Sequence, residues 1–116
     1  MTTEERRHHP RISALNLISY NCIDENEVIV AQGMGRTLNI SEGGILLETH
    51  IPMDLRNAIA LDVGLEDDLI NIKGTVVFSA AGKDDKYEAG IEFLEMSDST
   101  LDILKKFIIA FQNNKK

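Results

Sequence analysis

The chain has 116 residues, 43% of them hydrophobic and 27% charged, which fits one globular domain with a single core. Asp and Glu number 19 against 12 Lys and Arg, so the net charge of −7 disfavours binding to DNA, RNA or anionic lipid. No apolar run reaches about 18 residues and the first ten residues are polar, so the sequence predicts neither membrane insertion nor a signal peptide. We therefore expect a cytoplasmic protein.

The first segment in chain order is a basic arm. Five basic or imidazole side chains lie within the first eleven residues: Arg6, Arg7, His8, His9 and Arg11. We predict that residues 1–12 form a flexible arm that carries the pattern Arg-x-x-x-Arg. Such an arm on an acidic chain indicates a compact anionic partner, and the alternative is a solvated tail without a ligand.

The segment from 13 to 96 has the pattern of antiparallel strands, because its apolar runs are short and turn residues separate them. We predict strands at 15–22, 28–40, 45–49, 58–63, 70–78 and 87–93, with a polar hairpin loop at 80–85. In the fifth strand, polar residues alternate with a set that we expect on the buried face: Ile70, Ile72, Gly74, Val76 and Phe78. Closure of six short strands removes their exposed edges, so we predict a mostly β fold, a six-stranded antiparallel β-barrel.

The last segment, 97–114, changes to helical periodicity. Ser97, Asp98 and Ser99 offer oxygen atoms that can cap the first turn. The apolar stripe consists of Leu101, Leu104, Ile108 and Phe111, with Ile103 and Phe107 beside it. We expect this C-terminal α-helix to pack on the barrel, and the alternative is a dimerisation or partner face.

The sequence offers little for catalysis or metal binding. His8 and His9 are adjacent and His50 is distant, so the histidines lack the spacing of a zinc site. The single cysteine, Cys22, has no cysteine partner and is expected to be a small buried or half-buried apolar residue. We therefore expect no enzyme activity, no metal and no cofactor.

A second motif lies at the end of the second predicted strand, where residues 39–44 read Asn-x-Ser-x-x-Gly. Asn39 and Ser41 are two residues apart, so they can project from one face of an extended chain and read the edge of a base. Gly43 and Gly44 allow a turn with positive φ and let a ligand approach the backbone closely. The alternative is an ordinary connecting turn in which Asn and Ser make local hydrogen bonds.

The two motifs complement each other, since arginine guanidinium groups suit phosphate oxygens and guanine O6 and N7, and they can stack on a base. In this order they resemble the signature of the PilZ domain family, Arg-x-x-x-Arg followed by Asp/Asn-x-Ser-x-x-Gly. The resemblance extends to the late Gly90-Ile91-Glu92-Phe93 segment and the C-terminal helix. It implies a six-stranded barrel that binds cyclic di-GMP.

The resemblance also implies a role for each motif residue. Arg7 and Arg11 would contact phosphates and guanine bases, and Arg6 could add a further guanidinium to a stacked ligand dimer. The guanine site on the barrel surface would be lined by Asn39, Ser41 and Gly44, with Gly43 as a further candidate.

We expect a receptor that orders its arm when it binds cyclic di-GMP and then signals to an unknown partner protein, as a monomer or weak dimer. The main alternative is a PilZ-like protein interaction adaptor with little or no nucleotide binding. A barrel that binds single-stranded nucleic acid is a third class. It would need aromatic stacking platforms and a basic groove, but the chain has no Trp and only 5% aromatic residues.

Overall fold

The computed structural model describes residues 17–65 and 68–114, so the predicted arm at 1–12 lies outside the described residues. The described chain forms six strands and one helix. Their bounds are β1 Leu17–Ile23, β2 Ile29–Ile40, β3 Gly44–Thr49, β4 Ala58–Leu65, β5 Asp68–Ala81, β6 Tyr87–Phe93 and α1 Asp98–Asn114.

The six strands form a closed barrel in the order β1-β2-β3-β6-β5-β4, and β1 pairs with β4 to close it. All neighbouring strands are antiparallel. The prediction of a six-stranded antiparallel barrel with a C-terminal helix is therefore confirmed. Closure gives the strand edges partners within the sheet, which protects them from pairing with other chains.

The core lies inside the barrel and follows the period of two expected for strands. In β1, Ile18, Tyr20 and Cys22 are buried, while the residues between them are more exposed. Apolar side chains from the other strands complete the cluster, among them Leu47, Ile59, Leu61, Ile72, Val76 and Ile91. The expectation of a buried Cys22 is confirmed.

Strand β5 departs from the predicted alternation at its middle. Ile70, Ile72, Gly74 and Val76 are buried as expected. Phe78 is 48% exposed, so its predicted place on the buried face is wrong. The cause is an irregularity in the β5–β6 ladder, where Val76 pairs with Ile91 but Phe78 pairs with Gly90, two residues against one. Such a bulge moves the following side chains to the other face of the sheet.

Helix α1 packs on β5 and β4. The backbone N–H of Thr100 donates to Ser97 Oγ at 3.2 Å, so Ser97 is the N-cap among the three candidates. Leu104, Phe107 and Phe111 are buried in the core cluster, and Leu101, Ile103 and Ile108 are partly buried against it. Within residues 17–65 and 68–114, no helix has the length and apolar composition needed to cross a bilayer.

Candidate ligand-binding site

The second motif forms the turn between β2 and β3. Strand β2 ends at Ile40 and β3 begins at Gly44. The backbone N–H of Ser41 donates to the carbonyl oxygen of Gly44 at 2.8 Å, and Gly43 N–H donates to Ser41 Oγ at 3.3 Å. The Ser41 side chain therefore helps to hold the turn through its oxygen, and its hydroxyl hydrogen is available to a ligand.

Asn39 precedes this turn on the outer face of β2 and is exposed. The backbone N–H of Ile40 donates to Asn39 Oδ1 at 2.9 Å. This hydrogen bond occupies the carbonyl end of the amide and leaves the two hydrogens of Nδ2 free to donate to a ligand. Asn39 therefore presents a donor to the groove beside it.

The turn does not use the positive φ that its two glycines allow. Neither Gly43 nor Gly44 has a positive φ. At Gly44 the need for glycine is steric, because a β-carbon would lie 2.5 Å from the carbonyl oxygen of Ile91 on β6. At Gly43 a β-carbon would meet no atom of residues 17–65 or 68–114 within 4 Å, so this part of the structure leaves the backbone open to a ligand.

Asn39, Ser41, Gly43 and Gly44 line one groove of about 360 Å³ on the outer surface of the barrel. The fold thus brings together four of the seven predicted site positions, and the other three lie outside the described residues. The rest of the lining comes from β2, β3, β5 and β6: Ile40, Ile45, Leu46, Val77, Gly90, Ile91 and Glu92.

Three of these lining residues could not be assigned to the site from the sequence alone. Val77 reaches the groove at the β5 bulge, and the alternation pattern gave no sign of that bulge. Gly90 and Glu92 belong to the late β6 segment, which reaches the motif only because β6 pairs with β3. Knowledge that β6 pairs with β3 would have assigned Gly90 and Glu92 to the site.

The described residues contain no group of three or more His, Cys, Asp or Glu side chains that could hold a metal ion. Among the described side chains that line the groove, Glu92 is the one that carries charge. The groove is otherwise a mixture of polar atoms, bare backbone and aliphatic surface, which suits a flat heteroaromatic group that needs both stacking and hydrogen bonds.

A family model described as the PilZ domain matches residues 5–110. The chain belongs to the PilZ domain family. The match includes the positions of both predicted motifs, the described groove and most of α1. No curated protein matches the sequence.

Solved PilZ domains share this fold. A PilZ domain of YcgR from Escherichia coli with c-di-GMP has a TM-score of 0.60 at 12% identity and covers 85% of this chain and 84% of its own. A K. pneumonia MrkH-c-di-GMP complex has a TM-score of 0.60 at 17% identity and covers 87% of this chain and 50% of its own. A tetrameric PilZ domain from Xanthomonas campestris, self-assembled via a helical bundle, has a TM-score of 0.53 at 12% identity and covers 98% of this chain and 61% of its own.

Proposed function

We propose that this PilZ domain is a receptor for cyclic di-GMP that binds the dinucleotide in the groove beside the β2–β3 turn. The observation that carries the proposal is the convergence of Asn39, Ser41, Gly43 and Gly44 on one outward groove in a chain that matches the family over residues 5–110. The solved YcgR domain and the MrkH complex, which have the same fold, contain c-di-GMP.

The chemistry of the groove suits a guanine base. The Asn39 amide nitrogen can donate to guanine O6 or N7, which are acceptors. Leu46 and Val77 supply aliphatic surface beside the polar atoms, so that the flat face of a base has an apolar contact. The open backbone at Gly43 allows the base to approach closely.

The arm can bring its arginines to the same end of the barrel. Leu17, the first described residue, pairs with Arg36, which lies three residues before Asn39 on β2. Arg11 precedes Leu17 by six residues, and an extended chain of that length spans up to about 20 Å. We infer that Arg7 and Arg11 bind the phosphates and the edges of the guanine bases, with Arg6 as a further contact.

The interactions available at such a site can supply the free energy of micromolar binding. Hydrogen bonds to charged groups contribute roughly 1.5 to 3 kcal/mol each. Micromolar affinity corresponds to about 8 kcal/mol. Two arginines, the polar groups of the turn and base stacking can supply that sum after the cost of ordering the arm.

The signalling step in this proposal is ordering of the arm on binding, which changes the surface presented to a partner protein.

A second groove supports a link between the β2–β3 turn and helix α1. It lies on the other side of the turn and is lined by Ile40, Ser41, Glu42, Lys105, Ile108, Ile109 and Gln112. Ser41 lines both grooves, so we propose that a movement of Ser41 on ligand binding also alters the surface beside α1. We propose a binding role for this site and no catalysis.

The test is titration calorimetry of cyclic di-GMP into the wild-type chain and into the Arg7→Ala, Arg11→Ala and Ser41→Ala variants, with GTP as the control ligand. Arg56→Ala is the control variant, because it removes an exposed guanidinium from the loop between β3 and β4, outside the groove. We expect saturable micromolar binding that is lost in both arm variants, weakened in Ser41→Ala and unchanged in Arg56→Ala. No binding by the folded wild-type chain would contradict the proposal and favour the interaction adaptor.

A further inference from the structure

The carboxylate of Glu92 does not suit a groove that binds only phosphate. It lies on β6 directly opposite Gly44 and is exposed. The ion pairs found within the described residues join Arg36 and Lys86 to Glu48, so none of them neutralises Glu92. A carboxylate repels phosphate and accepts hydrogen bonds, so Glu92 suits a part of the ligand that donates hydrogen bonds.

The register of the strands places Glu92 across the groove from Asn39. Asn39 pairs with Leu46 and Leu46 pairs with Gly90, so these three lie in one row across β2, β3 and β6. Glu92 is two residues further along β6, on the same outer face as Gly90. Two strand spacings and one two-residue step separate the backbones of Asn39 and Glu92 by about 12 Å.

The surface between them carries few side chains. Gly44 and Gly90 both lie on the outer face between Asn39 and Glu92, and both line the groove. A substituent at Gly44 would collide with the Ile91 carbonyl, and one at Gly90 would lie 2.9 Å from Phe78 Cβ. The two glycines therefore leave a shallow floor on which a flat base fits, with a hydrogen bond of about 2.9 Å at each edge.

The donor and acceptor pattern across this floor matches guanine and not adenine. Asn39 presents a donor on the β2 side, and Glu92 presents acceptors on the β6 side. Guanine has acceptors at O6 and N7 and donors at N1 and at its 2-amino group. Adenine has a donor at N6 and an acceptor at N1, so it would place an acceptor against the carboxylate.

We propose that Glu92 is the specificity-determining residue of the groove and accepts hydrogen bonds from N1–H and the 2-amino group of one guanine. The inference rests on the proposed function and adds to it a residue that excludes adenine dinucleotides. The phosphates then lie away from Glu92, on the β2 side of the groove. The same carboxylate that would repel phosphate thus selects the base.

The experiment combines changes in the protein with changes in the ligand. Cyclic di-GMP, cyclic di-IMP, which lacks the 2-amino groups, and cyclic di-AMP are titrated into wild type, Glu92→Ala and Glu92→Gln. Glu42→Gln is the matched control, because it removes the same charge from the adjacent turn on the side that faces α1. Glu92 is exposed, and thermal melts check that each variant is folded.

We expect Glu92→Ala to weaken cyclic di-GMP binding about tenfold or more, and Glu92→Gln to weaken it less, since one acceptor remains. The wild-type preference for cyclic di-GMP over cyclic di-IMP should disappear in Glu92→Ala and persist in Glu42→Gln. Tighter or unchanged cyclic di-GMP binding by Glu92→Ala, or an unchanged preference between the two ligands, would overturn the inference alone. Absence of binding by wild type would instead contradict the proposed function on which it rests.

Discussion

A β-carbon at Gly44 would lie 2.5 Å from the carbonyl oxygen of Ile91, so the first residue of β3 can pair with β6 only as glycine. Gly44 also forms part of the groove floor opposite Glu92. The contact therefore ties the stability of the β3–β6 ladder to the shape of the candidate ligand-binding groove.

Gly44→Ala and Gly43→Ala should have different effects. Alanine at Gly44 must push β3 and β6 apart, and we expect a loss of about 1 to 3 kcal/mol in the free energy of unfolding, together with weaker binding of cyclic di-GMP. Alanine at Gly43 would contact none of the described residues and would sit at a φ that is not positive, so we expect a change within about 0.5 kcal/mol. Urea denaturation measures both. Equal stabilities for the two variants would show that β6 can move aside.

The fold followed from the sequence because each strand repeats a simple pattern. Ile18, Tyr20 and Cys22 alternate with more exposed neighbours, and closure of six such strands is the economical way to bury them. The error at Phe78 has a physical reason. A bulge adds one residue to one strand, and its position depends on the partner strand, which the local pattern of β5 does not contain.

The site was predictable only where its residues are close in sequence. Asn39, Ser41, Gly43 and Gly44 form a local motif with recognisable chemistry, and they do share a groove. Glu92 comes from a strand that is distant in sequence, and its place in the groove depends on the register between β3 and β6. The reason for glycine at position 44 was also hidden, since the close approach of Ile91 is a tertiary contact.

Phe107→Ala should destabilise the protein strongly, and Ile109→Ala should not. Phe107 is 1% exposed in the core cluster, so its removal leaves a cavity beneath α1 and should cost about 3 to 5 kcal/mol. Ile109 lies two residues away on the same helix but is 59% exposed, so we expect a change within about 0.5 kcal/mol. Thermal and urea denaturation provide the measurement. A small effect of Phe107→Ala would mean that α1 contributes little to the barrel's stability.

The coupling between Arg36 and Glu48 should depend on pH. The hydrogen bond from Arg36 Nε to Glu48 Oε1, 3.0 Å long, lowers the pKa of Glu48 below its ordinary value of 4.5, and the positive charges of Arg36 and Lys86 act in the same direction. The unfolded chain then binds a proton more readily than the folded one. The stabilisation is therefore complete above about pH 4.5 and is lost as the pH falls towards the lowered pKa.

A double-mutant cycle with Arg36→Gln and Glu48→Gln measures this coupling. Arg36 is well exposed, so we expect a coupling free energy below about 1 kcal/mol at neutral pH that shrinks in acid. Urea denaturation of the four proteins at pH 7 and at successively lower pH gives the values. A coupling that grows on acidification would contradict the assigned ionisation of Glu48.

The Cys22 thiol should report opening of the barrel. Cys22 is 3% exposed, and its burial raises the pKa of the thiol, so both access and thiolate formation are disfavoured at neutral pH. We expect slow reaction with a disulfide reagent in the native protein and fast reaction of one thiol after denaturation. Cys22 pairs with Ala31 on one side and Ile59 on the other, so separation of β1 from its neighbours would expose the thiol. Gly44→Ala lowers the stability of the barrel, so it should speed the reaction of the native thiol, and Gly43→Ala should leave the rate unchanged. Equally fast reaction in all native proteins would mean that the reagent reaches Cys22 without unfolding.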